Sequence, residues 1–78
     1  MSKEEAKQYY TLWSDAWSLF RKWGSGLENS DSFFQKCGEE AKEFVAKHAE
    51  HEGLATNIMM DILMELGRIS TTLERVDE

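Results

Sequence analysis

The chain has 78 residues, a net charge of −6, a single cysteine and no proline. A chain of this length forms one domain, residues 1–78, with a small core, and one cysteine excludes an internal disulfide. The acidic balance disfavours direct binding to DNA or RNA, and no apolar run reaches the roughly 18–20 residues that a membrane-spanning helix needs. With no apolar signal region behind the charged N-terminus, we expect a cytoplasmic protein that does not bind membranes.

The first predicted helix runs from about residue 3 to residue 23. Ser2 and Glu5 have the spacing of a capping box, in which each side chain accepts a hydrogen bond from the other residue's backbone N–H. The glycine-rich segment 24–26 predicts the end of the helix, with a glycine in the left-handed conformation.

Residues 9–23 place their apolar side chains over half of a helical wheel, an arc wider than one neighbouring helix can cover. We therefore expect this helix to be the centre of the core and to be covered from two sides. In particular, Trp13, Trp17 and Phe20 are expected to be buried.

The second predicted helix spans about residues 31–51, after a cap at Ser30, Asp31 or Ser32. Its apolar face includes Phe33, Phe34, Cys37, Ala41, Phe44, Val45 and His48. Gly38 lies beside this face, where the missing side chain would let a bulky neighbour such as a tryptophan approach closely.

The third predicted helix spans about residues 54–76. Gly53 is the expected break between the second and third helices, although one continuous helix through Gly53 is the alternative. Three helices joined by short loops predict an all-α fold, an antiparallel three-helix bundle with helix 1 in the centre.

Helix 3 carries more apolar surface than a three-helix monomer can hide. The surplus is Met60 and Met64, which lie one turn apart beyond the main apolar stripe. Methionine adapts to irregular partners, so an exposed methionine pair is typical of a contact face. Together with Tyr10 and Trp23 of helix 1, these residues form the predicted interaction surface for a second copy or another protein.

The spacing of the acidic residues in two segments suggests metal-dependent chemistry. The segment 39–43 matches the EExxE signature of all-helical nucleoside-triphosphate pyrophosphohydrolases, and the segment 74–77 has the ExxD spacing that follows it. Carboxylates one helical turn apart can hold Mg²⁺ together. The match fails on placement, because Glu39, Glu40 and Glu43 lie on the polar face, and Glu74 and Asp77 lie at the chain terminus. A solvated charged face is the favoured interpretation.

The remaining reactive side chains also favour structural roles. His48 and His51 are three residues apart, but a structural metal site normally needs four ligands. His48 falls on the apolar arc of helix 2, so we expect a partly buried, hydrogen-bonded histidine. Cys37 shares that arc and should behave as a small buried apolar residue. The sequence therefore predicts no catalytic residue, no metal site and no cofactor.

The aromatic pattern Tyr9-Tyr10-x-x-Trp13-x-x-x-Trp17-x-x-Phe20-Arg21-Lys22-Trp23 is followed by an acidic amphipathic helix. This arrangement, with the segment 62–69, resembles a group of small uncharacterised proteins from phages and mobile elements of Gram-positive bacteria. The resemblance covers most of the chain and implies an origin. It implies no activity, because the shared pattern is aromatic packing.

The leading functional hypothesis is a small non-catalytic module that acts by binding another protein. We also expect the bundle to self-associate through helices 1 and 3, as a homodimer. Two alternatives are a Mg²⁺-dependent nucleotide hydrolase that uses the carboxylates of segments 39–43 and 74–77, and an acidic DNA mimic that occupies a nucleic-acid-binding protein. The mimic would need carboxylates more densely placed than fifteen along the whole chain.

Overall fold

The computed structural model describes the backbone of residues 1–76 and the side chains of residues 1–72. Three α-helices, α1 (Lys3–Ser25), α2 (Asp31–Lys47) and α3 (Glu52–Val76), follow one another, with a short 3₁₀ helix at Ala49–His51 before α3. No strand occurs in these described residues, so the predicted all-α class with three helices is confirmed. The molecule is a rod with principal extents of 51 × 19 × 17 Å.

The first two helices begin where side-chain caps are available. The Ser2 hydroxyl accepts a hydrogen bond from the Glu5 backbone N–H at 3.1 Å, and the Glu5 side chain accepts from the Ser2 backbone N–H, which confirms the capping box. Ser30 caps α2, where its hydroxyl accepts from the Phe33 N–H at 3.2 Å. Both caps satisfy N–H groups that have no partner inside the helix.

The end of α1 differs from the prediction in length and in backbone conformation. The helix continues to Ser25, and its C-cap Gly26 has φ −112° and ψ 25°. The prediction of a left-handed glycine at this terminus is therefore wrong, since no residue in the described backbone has a positive φ.

The break between α2 and α3 lies before Gly53. Helix α2 ends at Lys47, His48 leaves the helical conformation at φ −110° and ψ 42°, and Gly53 belongs to the first turn of α3. The His51 N–H donates to the His48 carbonyl at 2.9 Å, a 3₁₀ bond that places residues three apart on one side of the turn. This turn directs both histidine side chains toward α1, as their hydrogen bonds below show.

The core is built from all three helices. Its most enclosed side chains are Leu12 of α1, Cys37 of α2, and Ala55 and Leu66 of α3. The other buried apolar residues are Ala16, Trp23, Ala41, Phe44, Ile58 and Met59. Helix α3 contacts both other helices and the 3₁₀ turn.

The expected burial of two tryptophans is wrong for the single chain. Trp13 is 54% exposed and Trp17 is 58% exposed, while Phe20 is half-buried. The neighbouring helices cover the side of α1 that carries Leu12 and Ala16, and the flank with the two tryptophans stays open. The arc on α1 is thus wider than the surface that α2 and α3 cover.

The prediction for Gly38 is also wrong. A Cβ at this position would meet no atom within 4 Å, so no tryptophan or other bulky side chain approaches this glycine. The glycine instead borders a shallow groove between α2 and α3.

Within residues 1–76, no helix is long and apolar enough to span a membrane.

Candidate interaction surfaces

A polar cluster joins the middle of α1 to the end of α2. The imidazole Nε2–H of buried His48 donates to Asp15 Oδ2 at 2.9 Å, and Lys47 Nζ lies 2.9 Å from the same oxygen. The hydrogen bond from Lys47 is the main cause that lowers the pKa of Asp15, and the bond from His48 adds to it against partial burial. The structure thus places His48 where the sequence predicts it, as a buried histidine with a polar partner.

A second cluster lies nearer the end of α1. Glu40 of α2 accepts a hydrogen bond from the Trp23 indole N–H at 2.8 Å and forms an ion pair with Lys22. The Lys22 hydrogen bond is the largest cause that lowers the pKa of the Glu40 carboxyl, and the Trp23 bond is the next. Trp23 is only 3% exposed, so its predicted membership of an exposed interaction surface does not fit the structure. Its indole packs in the core and still reaches a hydrogen-bond acceptor.

The third polar contact ties the 3₁₀ turn to the start of α1. His51 Nε2–H donates to Gln8 Oε1 at 2.9 Å, and its ring packs on Tyr9 with centroids 4.3 Å apart. Among the described residues, every buried side-chain N or O atom has a hydrogen-bond partner. The buried polar atoms of these clusters therefore need no further partner. They hold α2 and the turn against α1.

The structure describes some of the carboxylates of the predicted hydrolase site. Glu40 is engaged by Lys22 and Trp23, and Glu39 and Glu43 are exposed on α2. The side chain of Glu74 and the whole of Asp77 lie outside the described residues. Among the side chains that are described, no group of three or more His, Cys, Asp or Glu residues could hold a metal ion.

Cys37 lies in the core, with 1% of its surface exposed, as predicted. Burial raises the pKa of its thiol, and the nearby Glu40 carboxylate acts in the same direction. A thiol with a raised pKa and little exposure is a poor nucleophile.

An apolar groove of about 390 Å³ runs between α1 and α3, and we call it the aromatic groove. It is lined by Trp13, Ala16, Trp17, Phe20, Ile58, Asp61 and Ile62. The Trp17 and Phe20 rings meet edge to face with centroids 6.1 Å apart. Tyr10, 74% exposed, precedes Trp13 by three residues and Trp17 by seven, so it extends the same face of α1.

The two predicted surface methionines lie elsewhere on α3. Met60, 57% exposed, borders a groove of about 310 Å³ between α2 and α3, together with Gly38, Val45 and Leu63. Met64, one turn later, is 71% exposed. The predicted surface therefore divides into a methionine face near α2 and an aromatic groove near α1, and Tyr10 belongs to the second.

The sequence does not identify Trp13 and Trp17 as surface residues. The available signal is the width of the apolar arc on residues 9–23, which predicts contact with two helices of the same chain. The same width is expected when one flank is left open for a partner outside the chain.

No family model, curated protein or solved structure matches this chain.

Proposed function

We propose that the protein is a small non-catalytic module that binds another protein through the aromatic groove. The observation that carries this proposal is that Trp13 and Trp17 are each more than half exposed beside an apolar groove. Tryptophan and tyrosine are enriched among the residues that supply most of the energy at protein interfaces. The exposed part of each tryptophan adds no stability to the single chain, whereas a partner that covers it gains apolar contact area.

The proposed arrangement is an antiparallel three-helix bundle. Contacts between the first two helices support opposite directions, because residues 15 and 22 of α1 contact residues 47 and 40 of α2 in turn. In this arrangement α1 and α3 lie side by side, and their shared edge is the aromatic groove.

The methionine face is a second contact area within the same proposal. Met60 and Met64 are flexible apolar side chains that fit irregular partner surfaces. They lack the rigid aromatic rings of the groove, so we assign them a smaller share of the binding energy than Tyr10, Trp13 and Trp17.

The other predictions remain proposals of lower rank. A cytoplasmic setting and a phage or mobile-element origin rest on composition and on the resemblance of the aromatic pattern. The hydrolase alternative loses support from the engagement of Glu40, and no observation in the described residues favours the DNA mimic.

Affinity capture with matched variants tests the proposal. The wild-type chain, immobilised, is compared with Trp13→Ala, Trp17→Ala and Met64→Ala, with a differently tagged second copy and a lysate of the source cell as prey. We expect a stoichiometric prey protein that both tryptophan variants lose and that Met64→Ala retains in large part. Equal retention by all variants, or no stoichiometric prey at all, would overturn the proposal. Circular dichroism of each variant confirms that the helices are intact.

A further inference from the structure

We infer that the aromatic groove receives an arginine side chain of the partner protein, with the guanidinium group between the tryptophan rings and the carboxylate of Asp61. The inference rests on the proposed function, since it names the chemical group that the same surface recognises. Three observations carry it: the aromatic wall of the groove, the charge in its lining and its size.

Aromatic rings form the α1 wall of the groove. Trp13, Trp17 and Phe20 lie on one face of α1, and the two tryptophans are each more than half exposed. The Trp17 and Phe20 rings meet at an interplanar angle of 66°, so they present surfaces in two directions. The face of an aromatic ring is the negative end of its quadrupole and attracts a cation, and tryptophan attracts it most strongly. An exposed tryptophan wall therefore favours a cationic group over an anionic one.

The charge in the lining is acidic. Among the described residues that line the groove, Asp61 is the one that carries a charge, and Arg21, which follows Phe20, does not line it. The Asp61 side chain is exposed and forms no ion pair within the described residues. Ile58 and Ile62 line the groove three residues before it and one residue after it, so the carboxylate borders an apolar surface. It is complementary to a cation and repels an anion, and the net charge of −6 acts in the same direction at longer range.

The size of the groove suits one side chain or a similar small group. Its volume of about 390 Å³ lies at the lower end of the roughly 300–1,000 Å³ of small-ligand sites. Among cationic side chains, arginine has a planar group that stacks on aromatic rings and a fork of N–H donors that matches a carboxylate. A lysine ammonium is more strongly hydrated, so it loses more on entering an apolar groove. Arginine can thus use the tryptophan wall and Asp61 together.

An NMR titration of the full chain with two small molecules tests this chemistry. Propylguanidinium reproduces the end of an arginine side chain, and propylurea is its uncharged counterpart of similar shape. The indole N–H signals of the three tryptophans report on binding. We expect propylguanidinium to shift the Trp13 and Trp17 signals with a Kd about threefold or more below that of propylurea. The signal of the buried Trp23 should stay unchanged and serves as the internal control.

Matched variants separate the two parts of the site. Asp61→Asn should raise the Kd for propylguanidinium about two- to fivefold and leave the Kd for propylurea unchanged. Glu39→Gln removes one negative charge from an exposed position on α2 and should change the Kd less than Asp61→Asn does. Trp17→Leu keeps an apolar side chain without the ring, so it should weaken propylguanidinium binding more than propylurea binding. Circular dichroism confirms that the helices of each variant are intact.

The outcomes separate this inference from the proposed function. Equal affinity for the two molecules, including no binding of either, overturns the arginine site. So does a guanidinium affinity that Asp61→Asn and Glu39→Gln change alike. A partner protein, or a second copy of the chain, that the tryptophan variants lose but that Asp61→Asn retains in full also overturns it, and leaves the proposed function standing. The absence of any tryptophan-dependent capture refutes the proposed function and, with it, the arginine-bearing partner.

Discussion

The side chain of His48, at the end of α2, donates a hydrogen bond to Asp15 in the middle of α1 at 2.9 Å. The imidazole is 8% exposed and packs on the Phe44 ring, with centroids 4.7 Å apart. His48 ends α2, and its side chain also contacts α1 at Asp15, which lies 33 positions earlier in the chain. This hydrogen bond therefore connects the C-terminal end of α2 to α1.

Replacing His48 is expected to lower the free energy of unfolding. His48→Ala leaves a gap in the core and removes a partly buried hydrogen bond, and we predict a loss of about 1–3 kcal/mol. Lys47→Ala removes the exposed partner of the same carboxylate and should cost less than about 1 kcal/mol. Urea denaturation followed by circular dichroism measures both. Equal losses for the two variants would contradict a specific role for the buried histidine.

The stability should fall in acid because two carboxylates gain partners on folding. The pKa values of Asp15 and Glu40 are lowered from their ordinary values of 3.8 and 4.5, so their contribution is fully present above those values. It is lost as the pH falls through the lower pKa values of the folded state. We predict that Asp15→Asn and Glu40→Gln flatten the fall in unfolding free energy below about pH 4.5, measured by urea titrations from pH 7 down to pH 3. Glu39→Gln, the same substitution at an exposed neighbour, is the matched control.

The positions of the helices follow from local sequence, because their signals lie within a few residues. The capping box at Ser2 and Glu5 and the apolar periodicity of all three helices predict the all-α class. The break between α2 and α3 is different. Local reasoning favours Gly53, yet the chain leaves the helix at His48, where contacts with Asp15 and Gln8 of α1 hold the two histidines. A boundary set by distant residues cannot be found from propensities alone.

The candidate site depends even more on the neighbours of each helix. A helical wheel shows that Trp13, Trp17 and Trp23 are on the apolar half of α1, and it cannot show which flank a neighbour covers. Trp23 lies over α2 with Glu40 as its hydrogen-bond acceptor, whereas Trp13 and Trp17 lie on the open side. Their different fates come from the packing of α2 and α3, which is not encoded in the spacing on α1.

The same substitution should lower the unfolding free energy more at the buried Trp23 than at the exposed Trp17. Trp23→Phe loses a partly buried indole hydrogen bond and leaves Glu40 without that donor, so we expect a loss of about 1–2 kcal/mol in unfolding free energy. Trp17→Phe changes an exposed ring and should stay within about 0.5 kcal/mol of the wild type. Thermal and urea denaturation of dilute samples measure both. A larger cost for Trp17→Phe than for Trp23→Phe would reverse the assignment of core and surface.

The thiol of Cys37 should be protected in the folded chain. Because burial raises its pKa and encloses the sulfur, we predict slow reaction with a disulfide reagent at pH 8 and fast reaction in urea. Cys37→Ala should be tolerated better than Cys37→Ser, since serine places a more polar hydroxyl in the core. The kinetics of thiol labelling and the unfolding free energies of the two variants check these expectations. Rapid labelling of the native protein would contradict the burial of this side chain.

Acrylamide quenching of single-tryptophan chains shows whether Trp13 and Trp17 lie on a surface that another protein covers. In each chain the other two tryptophans are replaced by phenylalanine, and the fluorescence is followed from dilute to concentrated solution by adding tryptophan-free chain. We expect strong quenching of Trp13 and Trp17 in dilute samples, and protection of both as the second copy or a captured partner is added. Trp23 should be quenched weakly throughout. Two results would contradict this expectation. One is that acrylamide quenches Trp13 and Trp17 in dilute samples as weakly as Trp23. The other is that both stay strongly quenched whatever protein is added.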